Sequence, residues 1–295
     1  MSFQTETGKL ALGTVQFGMP YGIANQTGQV LPSEVARILG LARENGISTL
    51  DTAIAYGESE GVLGRHCLDE FSVITKLPEV PEACQNVAEW VNAQLEGSLA
   101  RLNVSRLDGV LLHKPDQLLN REGEALYQAM EALKKQGVVK RIGISVYGPE
   151  QLETLCRSYN FDLVQTPFNI LDRRLKESGW LEELQKRGTG LHVRSVFMQG
   201  LLLMSKKERP EKFYRWNALW SQWSDWLNEI GQTPLEACLR HALSIPEIEK
   251  IVVGVDSYSQ LQQIIQAANG TYFAPPHELQ TRDNQLLNPY FWKNL

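Results

Sequence analysis

Residues 47–64 read Ile-Ser-Thr-Leu-Asp-Thr-Ala-Ile-Ala-Tyr-Gly-Glu-Ser-Glu-Gly-Val-Leu-Gly, and the organisation of the whole chain can be worked out from this stretch. Residues 47–50 are a short run bounded by glycine and polar residues, which is typical of a brief buried strand. Asp51 stands where that strand ends, and Tyr56 follows in the loop before a helix predicted over 58–65. Taken alone, Asp51 is better explained as a turn cap and Tyr56 as a half-buried loop residue.

Strand-like and helix-like segments alternate along the rest of the chain. The predicted strands are 9–12, 47–50, 71–77, 108–112, 139–144, 161–164, 190–193 and 246–253. The first predicted helix is opened by Pro32 and Ser33, with Ser33 as N-cap and Gly46 as its stop. Pro81 and Glu82 lead into a long helix that includes Val87 and reaches Leu102, and the other predicted helices are 58–65, 122–135, 149–156, 175–186 and 259–268. Eight such units predict an α/β fold, an eight-stranded parallel (β/α)8 TIM barrel, which typically needs about 250 residues. We expect one domain over 1–295, with a long insertion at about 197–248 between strands seven and eight and a C-terminal tail at about 270–295.

The composition narrows the class of protein further. The net charge of −5 comes from interspersed acids and bases, which argues against a nucleic-acid or membrane-surface partner. The start has no apolar signal region, and no apolar run approaches the ~18 residues of a membrane span. Four scattered cysteines and five unclustered histidines predict a reduced, cytoplasmic protein without a metal site.

Polar residues recur where the predicted strands end. Strands two, three and four end in or near Asp51, Lys76 and His113, and Tyr56 follows strand two. Each has an ordinary explanation by itself, such as a solvated lysine. In a parallel barrel, however, these ends meet at one rim, where such barrels place their chemistry. Four proton-handling groups on one rim therefore indicate a catalytic site.

These four groups suit proton transfer to a carbonyl oxygen. Tyrosine has a reference pKa of about 10, and a neighbouring ammonium favours the ionised phenol. Asp51 would hold Lys76 charged, so that Tyr56 could give or take a proton, while His113 would donate a hydrogen bond to the same oxygen. No activated serine or cysteine is evident. Because no side chain can deliver hydride to the carbon, a nicotinamide cofactor is implied.

These residues resemble the aldo-keto reductase family over essentially the whole chain. The similarity lies in Gly13-Thr14, in the stretch from Gly46 to Gly57, and in the positions of Lys76 and His113. The resemblance implies that Tyr56 is the proton donor, assisted by the other three groups. It also implies a cofactor site that takes in the ends of several strands and the loops after them. Its residues would be Gly13, Thr14, Ser145, Gln165, Arg194, Ser195, Gln199, Gly200, Gly254, Asp256, Ser257 and Gln260. Within it, Ser145 and Gln165 would bind the nicotinamide carboxamide.

The chain departs from the family pattern at three places. Val146 stands where the family usually has asparagine, and Arg194 stands where an aromatic residue usually stacks on nicotinamide. The last loop offers Asp256 and no base for the 2′-phosphate of NADP. The family as a whole favours NADP, whereas the negative charge of Asp256 favours NAD. NADP(H) is therefore favoured only slightly over NAD(H).

Three apolar residues are expected at the substrate rim: Phe17, Tyr21 and Phe197. The insertion carries an aromatic and aliphatic stripe at helical spacing, which we interpret as packing rather than as a substrate pocket. Its members are Phe213, Trp216, Trp220, Trp223, Leu227 and Ile230. The tail ends in an apolar Tyr290-Phe291-Trp292 sequence, which either lines the site or packs on outer helices.

The prediction is therefore an NAD(P)-dependent carbonyl reductase or alcohol dehydrogenase that acts on a small-molecule aldehyde, ketone or sugar-type substrate. Two alternatives remain at this point. One is an aldolase in which Lys76 forms a Schiff base. The other is a nucleotide-sensing regulatory subunit without significant turnover. The sequence predicts no oligomeric state.

Overall fold

The computed structural model describes residues 6–295. In this part of the chain, eight parallel strands close into a barrel in which each strand pairs with its neighbours in sequence. The strands are β1 Leu10–Gly13, β2 Thr49–Asp51, β3 Ser72–Leu77, β4 Leu107–Leu112, β5 Val139–Ser145, β6 Leu163–Pro167, β7 Gly190–Arg194 and β8 Lys250–Gly254. β8 closes the barrel against β1, so the predicted (β/α)8 barrel is confirmed.

Helices surround the barrel and bury their apolar faces against the outer side of the strands. They are α1 Val15–Gly18, α2 Pro32–Glu44, α3 Ser59–Leu63, α4 Val87–Leu102, α5 Gly123–Lys135, α6 Pro149–Leu155, α7 Arg174–Glu177, α8 Trp180–Lys186, α9 Asn217–Ile230, α10 Pro234–Leu243, α11 Tyr258–Ala267 and α12 Asn284–Leu287. Short 3-10 helices occupy Glu6–Lys9, Pro115–Leu119, Met198–Leu203, Glu211–Trp216, His277–Leu279 and Pro289–Asn294. None of the helices within 6–295 combines the length and hydropathy needed to cross a bilayer.

The structure defines the starts of two predicted helices. α2 begins at Pro32, as predicted, but Leu31 holds the N-cap position without a side-chain cap, so Ser33 as N-cap was wrong. Proline suits the first helical position because its missing N–H has no partner there. α4 begins at Val87, after the segment that Pro81 and Glu82 open, because the Asn86 side chain accepts the Glu89 N–H and caps the helix there.

Two other predicted elements are also shorter than expected. The helix predicted over 175–186 is two helices, α7 and α8, separated at Gly179, whose φ of +79° favours glycine. β8 starts at Lys250, four residues later than predicted, because the chain turns at Ile245–Ile248 before it enters the sheet.

The long connection between β7 and β8 contains an ordinary barrel helix that the sequence analysis missed. α10 packs beside α11 in the outer ring. A capping box marks its start, since Thr233 and Glu236 satisfy each other's backbone N–H groups. The extra part of the connection is therefore the 3-10 helix at Glu211–Trp216 and α9. Trp220, Trp223 and Leu227 of the predicted stripe are buried, as expected for packing.

The inside of the barrel is filled by an apolar plug, which consists of Ile74, Leu111 and Leu163. Glycine at position 143 is required here, because a Cβ would lie 1.9 Å from the Leu163 carbonyl oxygen. Side chains two residues apart on a strand face the same side. The next inward positions after the plug residues therefore form the floor of the C-terminal rim.

Candidate active site

A layer of polar side chains lies directly above the plug. Lys76, His113 and Gln165 each follow a plug residue by two positions, on β3, after β4 and on β6. The strand register places Asp51 beside β3 at the same end of the barrel. The fold thus brings the predicted catalytic residues of three strands to one place.

Lys76 and Asp51 form a buried ion pair. Lys76 Nζ lies 2.6 Å from Asp51 Oδ1 and donates a second hydrogen bond to the Thr52 carbonyl oxygen at 2.9 Å. Burial alone would lower the pKa of Lys76, but the charge of Asp51 outweighs it and the pKa is raised. Lys76 is therefore an ammonium at neutral pH, although its side chain is only 1% exposed.

Asp51 has a second partner that the sequence analysis assigned only to the cofactor. Gln165 Nε2 donates to Asp51 Oδ2 at 2.6 Å, and Gln165 Oε1 lies 3.4 Å from Ser145 Oγ. Both carboxylate oxygens of Asp51 are thereby held. No sequence signal indicates this pairing, because β2 and β6 lie on opposite sides of the barrel and the two residues are 114 positions apart.

Two glycines fix the loop that carries Tyr56. A Cβ on Gly18 would lie 1.8 Å from the Tyr56 carbonyl oxygen, and one on Gly57 would lie 2.6 Å from the Gly18 oxygen. Gly57 also has a φ of +56°. Backbone therefore packs on backbone between the loops after β1 and β2. This contact holds Tyr56 at the rim.

Tyr56 lies between Lys76 and His113. Its ring packs edge-on against the His113 ring at 5.7 Å, and Lys76 Nζ lies 5.2 Å from the centre of the same ring. Burial, followed by the positive charges of Lys76 and Arg194, lowers the pKa of His113 to about 4. The imidazole is therefore neutral at pH 7 and can donate one hydrogen bond without competing for the phenol proton.

Thr14 and Phe17, on the loop after β1, are buried by the loops of the rim. Both are 0% exposed. The Thr14 hydroxyl donates to the Asp51 carbonyl oxygen at 3.1 Å, and the Ser59 hydroxyl donates to the Thr14 carbonyl oxygen at 2.8 Å. Phe17 belongs to the main apolar core. In this conformation both residues support the loops that shape the rim, while Gly13 ends β1 between β2 and β8.

The residues expected to bind cofactor follow one arc of the rim. Ser145, Gln165, Arg194 and Gly254 lie at or near the ends of four successive strands. Ser195, Gln199 and Gly200 occupy the loop after β7, and Asp256, Ser257 and Gln260 form the start of α11. The amide oxygen of Gln16, beside Gly254, is buried and has no hydrogen-bond partner among residues 6–295. A long polar arc with an unpaired buried acceptor suits an extended dinucleotide.

The loop after β1 contacts this arc at two places. The Tyr21 hydroxyl accepts a hydrogen bond from Gln199 Nε2 at 3.1 Å. Asn25 Nδ2 donates to Asp256 Oδ1 at 2.8 Å, and burial raises the pKa of Asp256. Tyr21 remains 42% exposed, so one of its faces is open to a ligand. Phe197, in the loop after β7, is partly buried against the core.

A basic side chain lies near the start of α11, although the last loop itself has none. Arg37 of α2 lies over the ring of Tyr258, with its guanidinium carbon 4.6 Å from the ring centre, and pairs with Glu34 at 2.7 Å. Besides the last loop, the sequence analysis considered Arg194 or a lysine from elsewhere in the chain as a base for the 2′-phosphate, but not Arg37. The packing of α2 against α11 brings this arginine from the other end of the chain.

Arg194 reaches across the end of β6 toward β5. Its Nη2 donates to the Val146 carbonyl oxygen at 3.0 Å, and its Nη1 lies 3.3 Å from Ser195 Oγ. The guanidinium carbon stands 4.9 Å from the centre of the Tyr147 ring. Tyr147, which the sequence analysis did not single out, is 43% exposed at this rim.

The C-terminal tail contacts two parts of the molecule, and a role for it in lining the site stays a prediction. Trp292 is buried and packs edge-on against Phe213 at 5.1 Å. Arg174 joins the tail to the loop after β5, since it donates to Asn284 Oδ1 at 3.1 Å and to the Tyr147 carbonyl oxygen at 3.1 Å. Tyr290 is 74% exposed. The tail thus packs on the insertion and also runs to the catalytic rim.

Comparisons with known proteins agree with this geometry. The sequence model of the Aldo/keto reductase family matches residues 9–274. The chain belongs to the aldo/keto reductase family. Aldo-keto reductase YhdN of Bacillus subtilis is 31% identical over 46% of this chain and 44% of that protein. D-threo-aldose 1-dehydrogenase of a Pseudomonas species is 28% identical over a region that covers 88% of this chain and 91% of that protein.

A solved structure of an aldo-keto reductase from Pseudomonas aeruginosa is similar over 88% of this chain and 89% of that one, with a TM-score of 0.66 and 25% identity. As an aldo/keto reductase, the protein is an NAD(P)-dependent oxidoreductase that acts on small carbonyl or alcohol substrates. Across residues 6–295, no group of three or more histidine, cysteine or acidic side chains is arranged to hold a metal ion.

Proposed function

We propose that the protein interconverts an aldehyde, ketone or sugar-type carbonyl and its alcohol, with Tyr56 as the proton donor. The observation that carries this proposal is the charged Lys76, fixed by Asp51 and 5.2 Å from the centre of the Tyr56 ring. A fixed cation beside a phenol stabilises the negative charge that remains when the phenol gives up its proton. Tyr56 is therefore placed to give its proton to a substrate oxygen.

Each neighbour of Tyr56 has a separate task. Neutral His113 donates a hydrogen bond to the carbonyl oxygen and stabilises the negative charge that develops on it. Asp51 keeps Lys76 charged and in place. A bound nicotinamide supplies or accepts the hydride at the carbon. In the oxidative direction, Tyr56 receives the alcohol proton in the same place.

The cofactor would lie along the arc from β5 to the start of α11. Ser145 and Gln165 would hold the carboxamide, while Arg194, Ser195, Gln199 and Gly200 would lie beside the nicotinamide and the diphosphate. Gly254, Asp256, Ser257 and Gln260 would face the adenosine. NADP(H) remains slightly favoured, since Arg37 now offers a base that the last loop lacks. Asp256 opposes that preference.

The substrate would enter over Tyr21 and Phe197, with Phe17 supporting the rim from below. D-threo-aldose 1-dehydrogenase is the name of a relative that aligns over most of the chain, and it supports a sugar-type substrate. A cytoplasmic location stays a prediction. The Schiff-base alternative requires a neutral lysine, and the raised pKa of Lys76 opposes it.

A dehydrogenase screen tests the proposal. Purified protein is incubated with each of the four nicotinamide cofactors and a panel of aldehydes, ketones, aldoses and alcohols, and nicotinamide absorbance is followed. We expect turnover of at least one substrate pair in both directions. Tight cofactor binding without turnover on any substrate would support the regulatory-subunit alternative instead. Substrate trapped on Lys76 by borohydride would support the aldolase.

A further inference from the structure

Arg194 differs from three other cations near the rim, each of which is paired with a carboxylate. Lys76 pairs with Asp51, Lys114 with Glu79, and Arg174 with Asp172. Arg194 has no carboxylate partner anywhere in residues 6–295, and its side-chain hydrogen bonds go to a carbonyl oxygen and a hydroxyl. A partly buried arginine without a counter-ion is costly unless something else supplies negative charge.

The guanidinium of Arg194 is held in place by uncharged groups. The Val146 carbonyl oxygen and the Ser195 hydroxyl each take one N–H, and the face packs over Tyr147. Arginine has five N–H donors in a planar fork. Three of them remain for a ligand. A fixed fork with free donors matches a carboxylate or phosphate, which it can bind through two parallel hydrogen bonds.

The charge of Arg194 acts on the catalytic cleft itself. It lowers the pKa of His113 and opposes both the raised pKa of Tyr21 and that of Lys76. Within the cleft, Lys76 and Asp51 cancel each other and His113 is neutral. The cleft therefore carries one uncompensated positive charge next to the residues proposed to act on the carbonyl.

We propose that Arg194 binds a carboxylate or phosphate group on the carbonyl substrate, so that the preferred substrates are anionic aldehydes, ketones or sugars. This inference rests on the proposed carbonyl chemistry and adds the substrate class. The diphosphate of the cofactor is a second anion that Arg194 could bind. The experiment must therefore separate an anion on the substrate from one on the cofactor.

Matched substrate pairs provide the test. The rates are kcat/KM for 4-carboxybenzaldehyde against benzaldehyde, and for glyceraldehyde 3-phosphate against glyceraldehyde. We expect wild-type protein to prefer the anionic member of at least one pair by tenfold or more. Arg194→Gln should reduce that ratio at least tenfold, and Arg194→Lys should reduce it less. Because the ratio compares two substrates on one protein, losses of folding or cofactor binding cancel.

Lys114→Gln is the matched control, since it removes an equal charge from the same rim at a residue already paired with Glu79. Its anionic-to-neutral ratio should stay within threefold of wild type. An unchanged ratio in Arg194→Gln, or an equal fall in both variants, would overturn the proposal. So would a rise in the Kd of NADPH and NADP+ in Arg194→Gln without a change in the substrate ratio, because the anion would then belong to the cofactor.

A binding measurement keeps this inference separate from the proposed activity. Benzoate and benzamide are titrated calorimetrically into the protein saturated with cofactor. We expect benzoate to bind at least tenfold more tightly than benzamide in wild type and about equally in Arg194→Gln. If no carbonyl compound were turned over, the proposed function would fail while this result could still establish the anion site. Equal binding of the two ligands to wild type would overturn the site.

Discussion

Gln165 Nε2 lies 2.6 Å from Asp51 Oδ2, so an amide on β6 and the ammonium of Lys76 on β3 share one carboxylate. This contact gives Gln165 a task that does not involve the cofactor. It fixes the second oxygen of Asp51 and thereby the position of Lys76. The carboxamide role implied by the family resemblance and this positioning role predict different losses when the glutamine is replaced.

Gln165→Leu should lower both stability and kcat. It leaves a buried carboxylate oxygen without a donor, which costs about 1–3 kcal/mol. Ser145→Ala is the control, because Ser145 approaches Gln165 but does not contact Asp51. We expect urea unfolding to show a larger loss in Gln165→Leu than in the control, together with a fall in kcat. A rise in cofactor Kd with unchanged stability and kcat would assign Gln165 to the nicotinamide alone.

Tyr56→Phe should nearly abolish turnover. A positioned general acid contributes typically about 10²–10⁴-fold to the rate, and phenylalanine removes only the acidic hydroxyl. The Kd of the cofactor, measured by fluorescence, should barely change. Tyr21→Phe removes another phenol from the cleft and should lower kcat by less than tenfold. A Tyr56→Phe protein with more than about a tenth of the wild-type rate, when chemistry is limiting, would end the assignment.

The choice between NADPH and NADH should depend on Asp256 and Arg37 in opposite ways. Asp256→Ser removes a negative charge that would repel a 2′-phosphate, so it should shift the Kd ratio toward NADPH. Arg37→Gln should shift it toward NADH. Both reduced cofactors are titrated by fluorescence.

Asn25→Ser is the control for Asp256→Ser, since it breaks the same 2.8 Å hydrogen bond but leaves the acid in place. Its Kd ratio should stay near that of wild type. A tenfold preference of wild type for NADH, weakened by Asp256→Ser, would show that the charge of Asp256 outweighs the family preference for NADP. No response to Arg37→Gln would remove that arginine from the cofactor site.

The sequence allowed the polar layer above the plug to be predicted because the relevant signals are local. Lys76 and His113 stand at strand ends, and parallel strands bring such ends to one rim whatever the details of packing. The contacts of Gln165 and Arg37 are different in kind. The first joins β2 and β6 across the barrel, and the second joins α2 and α11, which become neighbours when β8 closes beside β1. No short sequence pattern carries that information. Phe17 shows the same limit, since its loop emerges at the rim but its side chain turns into the core.

α10 was missed for another reason. Its capping box, Thr233 followed three residues later by Glu236, is a local signal of a helix start. Because a tryptophan-rich segment precedes it, the whole connection was interpreted as one insertion. The capping box was a sufficient local signal for a separate helix.

His241 should make the protein less stable in mild acid. Its ring stacks between Phe168 at 5.1 Å and Tyr272 at 6.2 Å, and neither ring nitrogen has a hydrogen-bond partner in the described residues. Burial, and then the charges of Arg173 and Lys176, lowers its pKa to about 3. The unfolded chain binds a proton near the reference pKa of about 6.5, whereas the folded protein does not until about pH 3.

Stability from this group is therefore present above pH 6.5 and is lost as the pH falls toward 3. At about 1.36 kcal/mol per pH unit, the loss at pH 5 is about 2 kcal/mol. His241→Phe should remove this dependence, because phenylalanine keeps the stack and binds no proton. Urea unfolding at pH 7 and pH 5 measures the difference, with the exposed His277→Gln as control. An equal loss in wild type and His241→Phe would contradict the assignment.

The C-terminal tail should influence stability and specificity through different residues. Trp292 is buried against Phe213, and Lys212 Nζ donates to the Trp292 carbonyl oxygen at 2.6 Å. Trp292→Ala should therefore cost about 3–5 kcal/mol, the usual range for a buried aromatic truncated to alanine. Tyr290, which is 74% exposed, should change stability by no more than about 0.5 kcal/mol when replaced by alanine.

The effects on substrate specificity should be larger for Tyr290→Ala than for Trp292→Ala. Glu79, and to a smaller extent Tyr290, raise the pKa of Lys114, the residue directly after His113, so Tyr290 lies near this part of the rim. Tyr290→Ala should change KM for bulky aldehydes more than for small ones and leave the Kd of the cofactor unaltered, whereas Trp292→Ala should lower the melting temperature most. Truncation after Leu287 should show both effects at once. If the truncated protein loses stability but keeps the same ratio of kcat/KM for bulky and small substrates, the tail serves packing alone, because a wall of the substrate site cannot be removed without changing which substrates fit.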